Sequence, residues 1–158
     1  MKKHSQLLTF AISASLGLPV AHAAPSPELC KALRTFVESV QPDESRAFTL
    51  RTSWGKNFED APEPALRAKR CEHGGYEPAR KLCDYLMVHS STEFAGANVK
   101  DAITCLSRKT RFAPMMELNN GSFSFSYGND NRGALIDVTL QPDEKMGGMT
   151  FELVADGY

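Results

Sequence analysis

Four cysteines, Cys30, Cys71, Cys83 and Cys105, are the residues whose type and spacing say most about chemistry. The closest two are twelve apart, so the chain lacks the Cys-x-x-Cys pairs that usually begin a zinc site. An even number of cysteines in an exported chain instead reads as two disulfides, because an oxidising compartment does not keep thiols reduced. If Cys83 and Cys105 flank the loop of a helical hairpin, they pair with each other and leave Cys30 for Cys71.

Cysteines held in disulfides cannot act as nucleophiles, which leaves serine beside histidine and an acid as the route to hydrolysis. No Gly-x-Ser-x-Gly elbow occurs. The run His89-Ser90-Ser91-Thr92-Glu93 gathers suitable side chains, but neighbouring residues rarely face one another, and Ser90 with Glu93 has the spacing of a capping box. His73, beside Gly74 and Gly75, fits a polar turn. Without a His-x-x-x-His spacing the two histidines do not form a metal site, so neither metal nor cofactor is expected. Asn129 to Gly133 begins like a calcium loop, yet Leu140 stands where the closing bidentate acid belongs. The Phe123, Phe125, Tyr127 stripe alternates with serines and reads as sheet core rather than a base-stacking platform. No catalytic residue is assigned.

The remaining candidate is a binding loop. Residues 55–64 follow Trp54 and hold Glu59, Asp60 and Glu63 together with Pro62 and Pro64. A proline-stiffened loop loses less entropy on docking, so Trp54, Glu59, Asp60 and Glu63 are the expected contact residues.

The beginning of the chain says where this chemistry would take place. Lys2 and Lys3, an apolar stretch from Leu7 to Val20, and Ala21-His22-Ala23 have the order of a secretory signal cut after Ala23. The apolar stretch is shorter than the roughly 20 residues of a membrane span. Cys30 follows Pro27-Glu28-Leu29, unlike a lipid-attachment cysteine. Of 18 Lys and Arg, two leave with residues 1–23, and the formal charge moves from −1 to −3. Nucleic acid is therefore not an expected partner, since phosphate binding needs a basic face. The expected location is the periplasm or the exterior.

The rest, residues 24–158, reads as one domain. A helix over 24–41, capped by Ser26, carries Leu29, Leu33, Phe36, Val37 and Val40 at helical spacing. Phe48, Leu50, Thr52 and Trp54 alternate as a strand. A short helical piece is expected over 65–71. A helical hairpin follows, from Pro78 to about His89 and from Asn98, paired with Asp101 as a cap, to Ser107. From Phe112 onward the pattern predicts a four-stranded antiparallel meander, with Asn120-Gly121 as its first hairpin turn. The fold class is α+β, with the meander packed on the helices and the Phe48 strand able to join it.

Charge divides along the chain. Residues 112–158 hold seven acids against Arg132 and Lys145, while Arg67, Lys69, Arg70 and Arg108, Lys109, Arg111 cluster in the helical part. An exported, disulfide-stapled domain of this kind is expected to be a non-enzymatic protein-binding module. The most concrete form is a periplasmic inhibitor or immunity protein whose acidic loop or sheet side meets a basic partner. A small envelope hydrolase using His73 or His89, and an accessory subunit of an envelope assembly, are the alternatives.

Overall fold

The computed structural model describes residues 24–113 and 115–158; the expected leader and its cut after Ala23 lie outside the described residues. In chain order the elements are α1 (Pro27–Ser39), β1 (Ser45–Trp54), β2 (Arg67–Glu72), α2 (Glu77–His89), α3 (Ala95–Leu106), β3 (Gly121–Asn129), β4 (Arg132–Pro142) and β5 (Met149–Gly157).

The five strands form one antiparallel sheet in the order β2-β1-β5-β4-β3. The α+β class is thus as expected, and the Phe48 strand does join the sheet. Strand alternation gives the sheet two unlike faces. One row runs Phe48, Leu153, Val138, Phe123 across four strands toward the helices. The next row runs Glu72, Thr49, Glu152, Thr139, Ser122 across all five, on the side without helices. Leu33, Phe36, Leu50, Leu82, Val99, Ile103 and Ile136 are buried between sheet and helices in one continuous core. Each such side chain stabilises the fold by about 1.5–3 kcal/mol relative to its exposed state.

Local sequence explains the helix starts and stops. The Ser26 hydroxyl accepts from the Leu29 amide at 3.0 Å and Pro27 occupies the first turn, where its missing N–H is no loss. The Ser26 hydroxyl also lies 2.7 Å from the Tyr85 hydroxyl, which joins α1 to α2. Helix α3 begins at Ala95, earlier than its Asn98 suggested. Asn98 does not cap the helix; it accepts from the Ser91 amide at 2.9 Å and donates to the Ser91 carbonyl at 2.8 Å. It thereby braces the connection from α2.

Three expectations are corrected. The segment 65–71, expected to be helical, instead runs into strand β2 (Arg67–Glu72), because pairing with β1 from Thr49↔Glu72 to Trp54↔Arg67 overrides the helical preference of Ala, Leu, Lys and Arg. The expected first strand of the meander is irregular. Lys100 holds that segment by donating to the Met116 carbonyl at 2.8 Å, and Leu118 is buried against α3. Gly96 makes this approach possible, since a Cβ there would lie 2.0 Å from the Leu118 carbonyl oxygen. Asn120-Gly121 therefore opens β3 instead of turning a hairpin.

The disulfides are Cys30–Cys105 and Cys71–Cys83, not Cys83–Cys105 with Cys30–Cys71. The hairpin expectation placed α2 directly against α3. Instead α1 packs against both, which brings Cys30 to Cys105. Strand β2 ends beside α2, only a four-residue turn away in sequence, and this sets Cys71 opposite Cys83.

Candidate functional site

Trp54 ends β1, opposite Arg67 on β2, and is 48% exposed. The chain then leaves the sheet through Gly55, whose φ of 85° suits glycine. The Gly55 amide donates to the Leu66 carbonyl at 2.8 Å, so the loop closes on itself. Phe58 is its buried anchor, with the Arg70 guanidinium 5.1 Å from its ring centroid. Asn57 accepts from the Phe58 amide at 2.9 Å and donates to the Glu63 carbonyl. The Glu59 amide donates to the Met146 carbonyl at 2.9 Å, tying the loop to the β4–β5 turn.

The acids of this loop are engaged at home. Asp60 receives a two-pronged ion pair from Arg70 at 2.9 and 3.0 Å, and this hydrogen bonding holds its carboxyl below the usual range. Glu59 pairs with Lys56. Glu63 supplies its backbone carbonyl, and its residue is exposed. The structure therefore brings Trp54, Glu59, Asp60 and Glu63 into one ordered loop region, with two of the three acids neutralised by neighbouring bases. The other acidic surface is the helix-free face of the sheet. There Glu72, Asp137, Glu152 and Asp156 accompany Arg51 and Arg70. Arg51 bridges Glu72 at 3.3 Å and Asp143 at 2.9 Å.

A feature that sequence reasoning missed lies beside Trp54. Leu66, Val88 and Phe94 are 66%, 72% and 64% exposed, and Met87 is exposed as well. Lys69 links their elements: its ammonium donates to the Met87 carbonyl at 3.1 Å and to the Ser90 carbonyl. Lys69 sits on the same strand face as Arg67, which pairs with Trp54. Phe94 is placed by its own amide, which donates to the Ser91 hydroxyl at 2.9 Å. Burial and nearby Arg67 hold the Lys69 ammonium below the usual lysine range, in keeping with a group committed to structure. Trp54, Leu66, Met87, Val88 and Phe94 are thus exposed on neighbouring elements, the β1 end, the start of β2, the end of α2 and the connection to α3, which Lys69 and the Trp54–Arg67 pairing brace. The signal was present in α2: Val88 falls off the Ala79, Leu82, Cys83, Leu86 stripe, so the core has no use for it.

Comparison with protein-family models, with curated proteins and with solved structures finds no match to this chain. Its function is therefore argued from the site alone.

The histidines stand at opposite ends of α2, a helix of 13 residues, about 18–20 Å long at 1.5 Å per residue. His89 is exposed and stacks on Tyr85, with ring centroids 4.4 Å apart. His73 lines a shallow depression with Arg46, Glu72 and Tyr76, and its Nδ1 is buried without a hydrogen-bond partner. No carboxylate comes within 4 Å of either histidine among the described residues. Neither ring therefore has the acid that would orient it as a general base. Among the described residues no three His, Cys, Asp or Glu side chains are grouped to hold a metal ion, and no helix is long and apolar enough to cross a membrane.

Proposed function

We propose that this chain is an exported, non-enzymatic protein-binding module, a periplasmic inhibitor or immunity protein that occludes an envelope-acting enzyme or toxin. It docks through the Trp54 end. The observation that carries this reading is the group of exposed large apolar residues there: Trp54, Leu66, Met87, Val88 and Phe94. Large exposed apolar side chains held together at one surface are the usual material of a protein interface, and tryptophan and arginine are enriched among the residues that dominate binding energy. Arg67 lies directly across the strand pair from Trp54. Two disulfides stiffen the scaffold and fit an oxidising extracellular compartment. Asp60 of loop 55–64 is held by Arg70, which points to the opposite face of β2 from Arg67.

Trp54 is the chain's single tryptophan, so its fluorescence reports directly on docking. The test couples capture to activity. Envelope enzymes retained by the wild-type protein are assayed with and without it, in parallel with Trp54→Ala and Val88→Asp variants whose folding is checked by circular dichroism. The expected result is inhibition by the wild type, a blue shift of Trp54 emission on binding, and loss of both in the folded variants. A partner bound and inhibited equally well by both variants would overturn the assignment of this end as the interface.

A further inference from the structure

A second surface feature lies at the other side of the molecule, away from the Trp54 end. It is a cleft of about 720 Å³ between the C-terminal half of α1, the turn after α3, and the edge strand β3. Its walls carry Arg34, Arg108, Lys109 and Arg132 against one carboxylate, Glu38. None of these four cations lies within 4 Å of a carboxylate among the described residues. Arg132 is nevertheless fixed in place, donating to the Val40 carbonyl at 3.2 Å and to the Gln41 side-chain oxygen at 3.3 Å. Those acceptors are neutral, so its charge remains uncompensated. Glu38 accepts from the Tyr127 hydroxyl, which closes off part of the single negative group. Burial first, and this hydrogen bond second, push the Tyr127 phenol up to about 12, so it stays a neutral donor.

Strand β3 supplies the second half of the site. It ends the sheet, so one side of its backbone has no strand partner among the described residues. Over Gly121–Asn129 it contains neither a charged residue nor a proline. Exposed edges normally carry such residues to prevent pairing with another chain. Phe123, Phe125 and Tyr127 face the helical side yet remain only partly buried.

We propose that the free edge of β3 and this cleft bind an acidic peptide segment, which adds to the sheet as a sixth strand. The peptide backbone pairs with β3, and alternate side chains reach over Phe125 and Tyr127 toward the cations. Backbone pairing supplies affinity and the side-chain positions supply selectivity, as in other strand-addition complexes. An extended chain fits better than a compact anion, because the cations come from α1, the turn after α3 and the β3–β4 turn rather than from one point. This site is independent of the Trp54 interface.

The experiment is fluorescence anisotropy on the purified protein with a labelled eight-residue peptide alternating Glu and Val. Its controls are the same peptide N-methylated at alternate residues, a Lys/Val peptide, and citrate and inorganic phosphate as competitors. The expected result is binding of the Glu/Val peptide that weakens as salt rises and is lost on N-methylation. Binding also weakens roughly tenfold or more in Arg108→Glu/Lys109→Glu. Far-UV circular dichroism confirms that this variant folds, and Arg34→Glu provides a second one on a different wall. Four results would each overturn the proposal: no binding, equal binding of the N-methylated or lysine peptide, indifference to both variants, or complete displacement by citrate or phosphate at equal charge concentration.

Discussion

The two edges of the sheet are built on opposite plans. β2 is six residues long and carries Arg67, Lys69 and Arg70. Two of those cations are spent on the protein itself, Lys69 on the end of α2 and Arg70 on Asp60. β3 is nine residues long and uncharged, and the cations near it have no carboxylate partners among the described residues. A short edge with charged, engaged side chains resists pairing with another chain, whereas a long uncharged one permits it. The same sheet thus protects one border and leaves the other available. The difference teaches that counting charges along the chain does not locate a binding site. What matters is whether each charge already has a partner.

Each edge has a different disulfide beside it, one joining β2 to a helix and one joining two helices next to β3, which offers the strongest way to separate them. Cys30–Cys105 spans 75 residues and holds together α1 and α3, the helical walls of the β3 cleft. Cys71–Cys83 spans 12 and fixes the β2 edge to α2. From loop-closure entropy, Cys30→Ser/Cys105→Ser costs about 4–5 kcal/mol and Cys71→Ser/Cys83→Ser about 3 kcal/mol. Denaturant unfolding of the two double variants checks the order. If the second proved the more damaging, the β2 edge and not the β3 side would depend more on its covalent tie.

Phe58 gives the next largest effect. Its ring is buried and anchors the loop beside β2. Phe58→Ala is expected to cost about 3 kcal/mol and to raise amide exchange at Gly55 and Glu59, whose hydrogen bonds close the loop. Exchange at β3 should not change. Exchange rising equally at both edges would show that the two are not independent.

The smallest effect concerns Asp143, which accepts from the Met146 and Lys145 amides and pairs with Arg51. The Met146 hydrogen bond is the main reason its carboxyl stays below the usual range. A depressed carboxyl contributes stability that is fully present above the ordinary value near 4, and lost as pH falls through the folded value. Asp143→Asn should cost about 1–2 kcal/mol at neutral pH, and should flatten the acid limb of a stability-versus-pH curve. An unchanged acid limb would remove Asp143 from the bracing of the β1–β2 side.

Much of the fold was legible in the sequence because its signals are periodic. The α1 stripe from Leu29 to Val40 and the alternation in β1, β3, β4 and β5 reflect burial directly. The β2 segment was not legible, since Ala-Leu-Arg-Ala-Lys-Arg favours a helix in isolation and only its pairing with β1 makes it a strand. Disulfide pairing was also out of reach, because it depends on α1 lying between α2 and α3. The place of Trp54 at a strand end was legible from the alternation of β1. The acids of loop 55–64 were visible, but their partners Lys56 and Arg70 become partners only in three dimensions. The cleft was hidden for a similar reason, its cations being scattered over positions 34, 108, 109 and 132.

β5 occupies the centre of the sheet although it is the last of the strands in chain order. It pairs with β1 across roughly a hundred residues and with β4 on its other side. Contacts so distant in sequence form slowly. Until β5 arrives, the β2–β1 pair and the β4–β3 pair are separate hairpins, each with an unfinished border. A chain made amino end first therefore stays without its complete sheet until its last strand has emerged. The placement of one strand makes folding a late event, timed to the emergence of residues 149–157.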